Sequence, residues 1–61
     1  MPYVTVKMLE GRTDEQKRAL VKEVTEAVSR TVDAPPENVT VFIEEMPKNH
    51  IGVAGVRFSD K

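Results

Sequence analysis

The chain opens, two residues from its start, with the run Tyr3-Val4-Thr5-Val6-Lys7-Met8-Leu9. Its apolar residues Val4, Val6 and Met8 fall on one face if the run is extended, because successive side chains of a strand point to opposite sides. The other face is mixed and consists of Tyr3, Thr5, Lys7 and Leu9. We therefore predict a β-strand with one face fully buried.

The residues after this strand predict a long helix. Thr13, followed three positions later by Gln16, matches a capping box, and the two acids between them suit the positive end of a helix dipole. Apolar residues then recur at helical spacing at Leu20, Val24, Ala27, Val28 and Val32. We expect residues 33–38 to end the helix, because Pro35 pushes the residue before it out of the helical region and neither proline there can donate a backbone hydrogen bond.

A second strand is predicted directly after these prolines. Val39, Val41 and Ile43 alternate there with Thr40, Phe42 and Glu44. A strand, a helix and a strand in this order form a β-α-β unit, whose crossover is nearly always right-handed. The two strands should therefore be parallel neighbours.

The last part of the chain, residues 46–58, is apolar and is broken by Gly52 and Gly55. It predicts a short C-terminal hairpin that is bulged or tightly turned at 52–55. We therefore expect a single domain over residues 1–61, of the α+β class, in which a parallel β-α-β unit is followed by this hairpin. One sheet face remains without a helix, so the fold should be completed by oligomerisation.

The composition limits the classes of partner that the protein is expected to bind. The chain has 61 residues and no cysteine, so it lacks both a large core and any disulfide to reinforce a small one. Its net charge of −1 gives no basic field for nucleic acid. No run approaches the roughly 20 apolar residues of a membrane span, and no signal-peptide pattern is present. We expect a cytoplasmic homo-oligomer that binds neither nucleic acid nor membrane.

Pro2 is the first candidate for chemistry. Initiator methionine is usually removed before a residue as small as proline, and removal of Met1 would leave the Pro2 nitrogen as a free secondary amine. An apolar wall or a nearby cation lowers the pKa of such an amine and makes it a usable base. Arg12, from the same chain or from a neighbouring subunit, is the obvious cation. However, proline is also ordinary at the start of a strand, where it needs no ladder donor.

Two other residues carry weaker signals. His50 has no second histidine, cysteine or catalytic serine near it in a recognised spacing, so it is more typical of a surface or interface residue. Gly11 stands outside any Gly-rich phosphate loop that ends in Gly-Lys-Ser or Gly-Lys-Thr. Neither residue predicts a metal or phosphate site.

Taken together, several short motifs are specific. They are Met1-Pro2, Leu9-Glu10-Gly11-Arg12 followed by Thr13-Asp14-Glu15-Gln16-Lys17, Asp33-Ala34-Pro35, and Glu45-Met46 with Lys48, His50 and Gly52. In this order the chain closely resembles the 4-oxalocrotonate tautomerase family, over nearly its whole length. The resemblance implies the tautomerase fold and a hexamer built as a trimer of dimers.

The resemblance also implies the roles of several residues. Pro2, as the mature N-terminus, would be the general base that moves a proton between the 2-hydroxyl oxygen and a distant carbon of a 2-hydroxydienoate. Arg12 would hold a substrate carboxylate and draw electron density towards it. The backbone amide of Leu9 would bind the other polar end of the substrate. Neither a metal nor an organic cofactor is implied.

The chain departs from the family pattern at two site positions. Members specialised for a dicarboxylate carry a second arginine where this chain has Thr40, and an aromatic wall where it has Ile51. Thr40 offers a hydroxyl but no charge, and Ile51 keeps only an apolar wall. We expect the base to survive and a diacid to be handled less well. Arg57 is a candidate substitute cation, although a surface or interface charge is the commoner role for such a residue.

The sequence thus predicts an enzyme that interconverts the enol and keto forms of 2-hydroxydienoates and 2-oxo acids. Two alternatives remain open from sequence alone. One is a hydratase or dehalogenase acting on small unsaturated acids, and the other is a catalytically silent oligomeric module. Retention of Met1 would favour the silent module, because the Pro2 nitrogen would then be an amide without usable basicity.

Overall fold

A computed structural model describes residues 1–61. The strands and the helix, in chain order, are β1 (Tyr3–Leu9), α1 (Asp14–Val32), β2 (Thr40–Met46), β3 (Gly52–Val53) and β4 (Val56–Arg57). Short 3-10 turns lie at Pro36–Asn38, Lys48–His50 and Phe58–Asp60. The predicted β-α-β unit with a C-terminal hairpin is confirmed. α1 is not apolar enough over its length to cross a membrane.

β1 and β2 form a two-stranded parallel sheet, as predicted. Their register pairs Tyr3 with Thr40 at one end and Leu9 with Met46 at the other. Backbone hydrogen bonds extend the ladder beyond both ends, since Thr40 N–H donates to the Pro2 carbonyl and Glu10 N–H donates to the Met46 carbonyl, each at 3.0 Å. The two strands are therefore joined along their full length.

The predicted capping box fixes the start of α1. Thr13 Oγ1 accepts from Gln16 N–H at 3.1 Å, and Gln16 Oε1 accepts from Thr13 N–H at 3.0 Å. At the other end, Asp33 takes a left-handed conformation with φ of 57°, and the prolines follow. Both helix ends lie where the sequence predicted them.

The face of the sheet that packs on α1 is only half-buried in the single chain. We predicted full burial of Val4, Val6 and Met8, but no residue of the isolated chain reaches it. The chain, with two long strands and one helix, extends only 13 Å along its shortest axis, which is too little to enclose a side chain on all sides. The prediction of full burial is therefore wrong for one chain, and the reason is its size.

The opposite face of the sheet is bare. Tyr3 and Phe42 are 67% and 50% exposed there, with ring centroids 6.5 Å apart. Along the same face, Lys7 Nζ lies 3.9 Å from a carboxylate oxygen of Glu44. Two exposed aromatic rings on one flat face are typical of a protein interface.

The tail folds into the predicted hairpin. β3 and β4 pair in antiparallel register, with Gly52 opposite Arg57 and Val53 opposite Val56. The two turn residues, Ala54 and Gly55, both have positive φ, 55° and 84°. That combination is the pattern of a type I′ turn, which matches the twist of a two-residue hairpin.

Candidate active site

Pro2 and Thr40 lie together at the amino-terminal end of the parallel sheet. The Pro2 carbonyl accepts a hydrogen bond from Thr40 N–H, and both residues are half-buried. Met1, which is 74% exposed, is joined to the Pro2 nitrogen through a peptide bond. The Pro2 nitrogen becomes a base only after that bond is cleaved.

Arg12 lies beyond the other end of β1, in the turn between the strand and α1. Gly11 supplies the backbone freedom for this turn, because its φ of 120° is one that side-chain-bearing residues rarely adopt. The Arg12 side chain is exposed and forms no ion pair, whereas Arg18 and Arg57 each bind a carboxylate. Its charge is therefore available to an anion.

The base and the cation do not meet within one chain. β1 contains seven residues, and an extended strand rises about 3.3 Å per residue, so the strand is roughly 23 Å long, with Pro2 before its start and Arg12 beyond its end. The length of the strand disfavours the interpretation in which Arg12 reaches Pro2 of its own chain. Its alternative, an arginine from a neighbouring subunit, is the one compatible with this geometry.

Leu9 presents its backbone amide at an open sheet edge. The ladder bonds of Pro2 and Glu10 both point to β2, and backbone amides point alternately to the two edges of a strand. The N–H of Leu9 must then point away from β2, where no further strand lies. A free N–H there can donate to a substrate oxygen or to another chain.

Ile51 lies at the same end of the sheet as Leu9. It helps to enclose a mainly apolar groove of about 440 Å³, whose lining residues are Lys7, Met8, Met46, His50, Ile51 and Gly52. Within the tail, Phe58 N–H donates a hydrogen bond to the Ile51 carbonyl at 2.9 Å, which closes the hairpin next to Ile51. The carboxyl-terminal end of the sheet therefore offers an apolar wall in this groove and a free amide at the outer edge of β1.

The groove contains residues that the sequence reasoning missed, chiefly Met8 and Met46. Met8 appeared only as part of the apolar face of the first strand, and Met46 only at the start of the tail and in the Glu45-Met46 motif, without a role in the site. Met46 follows Glu45 at the end of β2 and pairs with Leu9. Knowledge of the strand register would have placed Met46 near the site, whereas the alternation of apolar residues could not.

Arg57 is engaged within its own tail. Its Nε and one terminal nitrogen donate to the two carboxylate oxygens of Asp60, at 2.9 and 3.3 Å. A guanidinium held by both oxygens of a carboxylate is compensated in charge and fixed in direction. This contact favours a structural role for Arg57 over that of a substitute cation.

Comparison with known proteins identifies the family of this chain. The family profile described as "Tautomerase enzyme" matches residues 2–61. The chain belongs to the tautomerase family. It is 70% identical over 60 residues to the 2-hydroxymuconate tautomerase of Bacillus subtilis (strain 168), an alignment that covers 98% of this chain and 97% of that protein.

Solved structures give the same result for the tautomerase fold. YwhB, a homologue of 4-oxalocrotonate tautomerase, superposes with a TM-score of 0.96 at 68% identity, over 98% of each chain. A heterohexameric 4-oxalocrotonate tautomerase from Chloroflexus aurantiacus J-10-fl superposes with a TM-score of 0.92 at 33% identity, over 98% of this chain and 97% of that one. The predicted family and fold class are confirmed, and the chain is an enzyme of the tautomerase type.

Proposed function

We propose that this tautomerase interconverts the enol and keto forms of 2-hydroxydienoates and 2-oxo acids without a cofactor, with the Pro2 nitrogen as general base after removal of Met1. The observation that carries this proposal is the division of the site residues between the two ends of the sheet. Pro2 and Thr40 occupy one end, and Leu9, Arg12 and Ile51 occupy or adjoin the other. When two copies lie side by side with their sheets running in opposite directions, the base of one is at the same end as the cation of the other.

The proposed chemistry is a proton transfer. The Pro2 amine takes the proton of the 2-hydroxyl group, the electrons move along the conjugated chain, and the same proton is returned to a distant carbon to give the 2-oxo-enoate. Arg12 of a second subunit binds the carboxylate next to the reacting oxygen and stabilises the negative charge that develops there. The Leu9 amide and the Ile51 wall hold the rest of the substrate.

A hexamer, assembled as a trimer of dimers, is the oligomer we propose. In support, the single chain has no fully buried residue, one sheet face exposes Tyr3 and Phe42, and both sheet edges are unpaired. In the proposed dimer, two β-α-β units join into a four-stranded sheet. The heterohexamer of Chloroflexus aurantiacus is an example of chains of this fold that form a hexamer. A cytoplasmic location stays a prediction from the sequence.

We propose that the enzyme accepts monocarboxylate enols as well as dicarboxylates. Thr40 carries no charge, and Arg57 is bound to Asp60, so this chain supplies one free arginine to the site rather than two. A monoacid enol with an apolar body would match a single cation and the Ile51 wall. 2-Hydroxymuconate, named in the relative from Bacillus subtilis, would be accepted but less favoured for its second carboxylate.

Intact-mass measurement combined with an enol assay tests the proposal. The protein should have lost one methionine, and it should accelerate ketonisation of phenylenolpyruvate and 2-hydroxymuconate. Pro2→Ala, which leaves a primary amine, should lower kcat without abolishing it. Processed protein of hexameric mass that is inactive on both enols would instead indicate a silent module or a hydratase or dehalogenase.

A further inference from the structure

The turn that carries Arg12 is attached to β2 at both of its ends. On the strand side, Glu10 N–H donates to the Met46 carbonyl at 3.0 Å. On the helix side, Lys17 Nζ lies 2.6 Å from a carboxylate oxygen of Glu45, the residue that precedes Met46. Residues 11–13 thus lie between two contacts that fix the turn to Glu45 and Met46, which are adjacent residues of β2.

The contact between Lys17 and Glu45 differs from the other ion pairs. Whereas the pair of Lys7 with Glu44 lies within the sheet, this contact alone joins α1 to the sheet, between residues 28 positions apart. Both side chains are about 30% exposed, whereas Arg18 and Asp14, which pair on the same helix, are 75% and 85% exposed. A short, partly desolvated ion pair is stronger than an exposed one, because water and salt screen it less.

Lys17 is coupled to Arg12 through the helix cap. Its N–H donates to the Thr13 carbonyl at 3.1 Å, and Thr13 is held in turn by the reciprocal capping box with Gln16. The first helical turn therefore moves as a unit with Lys17. Gly11 lies between this unit and β1, and its φ of 120° is one that side-chain-bearing residues rarely adopt.

We infer that Lys17 and Glu45 are positioning residues that hold the Arg12 turn in the direction from which its guanidinium reaches a substrate carboxylate. The inference rests on the proposed role of Arg12. Loss of the pair would let the start of α1 shift against the end of β2, and Arg12 would shift with it. The interaction of Arg12 with the carboxylate would weaken, because catalytic contacts depend on placement to within about 1 Å.

The first test is Lys17→Met, which keeps the aliphatic stem and removes the charge. We expect KM for phenylenolpyruvate to rise about three- to tenfold with little change in kcat, a partial version of the Arg12→Ala effect. The charge-reversed double variant Lys17→Glu with Glu45→Lys should restore KM, since it rebuilds the pair in the opposite sense. Arg18→Gln, which removes the exposed pair on the same helix, is the matched control and should leave KM unchanged.

Several outcomes separate a failure of this inference from a failure of the proposed function. If Arg12→Ala itself leaves both kcat and KM unchanged, the proposed function is wrong at that residue. If Arg12→Ala raises KM but Lys17→Met lowers only the melting temperature, the pair has a purely structural role and the inference is overturned. Should Lys17→Met fail to stay oligomeric in sedimentation, Glu45→Ala, which leaves Lys17 without its acceptor, takes its place in the KM measurement. An unchanged KM in Glu45→Ala would then also overturn the inference.

Discussion

Replacement of Phe42 by alanine should dissociate the oligomer. Phe42 projects from the bare sheet face, where half of its side chain is exposed and its ring lies against that of Tyr3. In our proposal this face is covered by other copies of the chain, so the exposed half of the ring becomes buried on assembly. The variant removes that burial without touching the face that packs on α1.

The magnitude follows from the exposed area. A phenylalanine buries about 150–250 Å² when fully enclosed, so half of it corresponds to roughly 75–125 Å² per chain. At about 25 cal/mol per Å², each chain loses about 2–3 kcal/mol of association free energy. Where two copies bury this face against each other about a twofold axis, the interface contains the residue twice, and the association constant of such a pair should fall by about three orders of magnitude or more.

Sedimentation velocity over a range of protein concentrations measures this effect, and the enol assay on the same samples follows the active site. Phe42→Ala should shift to smaller species at micromolar concentration and should lose activity in parallel with mass. Val21→Ala, at an exposed position of α1, is the matched control and should change neither. A Phe42→Ala protein with full oligomer mass and full activity would refute the claim that this face is an interface.

Three further substitutions have defined outcomes. Arg12→Ala should lower kcat/KM for acidic enols about ten- to a hundredfold, because a charge-assisted contact is worth roughly 1.5–3 kcal/mol; unchanged turnover would remove Arg12 from the site. Thr40→Arg should raise kcat/KM for 2-hydroxymuconate about tenfold more than for phenylenolpyruvate, since a new guanidinium can bind the second carboxylate; an equal change for both substrates in an intact oligomer would contradict that placement. Ala54→Gly should raise the melting temperature by about 2–4 °C at fixed chain concentration, because glycine relieves the left-handed strain at φ of 55°; a lower melting temperature would show that the turn is not strained.

Local patterns predicted the elements of the fold well. The alternation at 3–9 and the Thr13–Gln16 capping box are properties of neighbouring residues, so they can be recognised without knowledge of the tertiary structure. The paired prolines ended the helix for the same kind of reason, since their effect on the backbone is local. These features positioned β1, α1 and β2 to within a few residues.

The site depended on information that no local pattern contains. Pro2 and Arg12 could be named from the family resemblance, but their separation along β1 became clear only from the register of the sheet. The link between Lys17 and Glu45 joins residues 28 positions apart, and nothing in the sequence around either residue indicates its partner. The predicted full burial of one strand face failed because alternation reveals which face is apolar, and not how much protein covers it.

Subunit mixing tests most directly the claim that the base and the cation come from different chains. Pro2→Ala and Arg12→Ala proteins, each weakly active alone, are unfolded together and refolded as mixed oligomers in equal amounts. If each site takes Pro2 from one chain and Arg12 from another, about one site in four regains both native residues, and activity should rise to roughly a quarter of the wild-type value. Activity that stays at the average of the two separate variants, in oligomers shown to be mixed by mass spectrometry, would contradict a shared site, because a site built from one chain can never recover both residues by mixing.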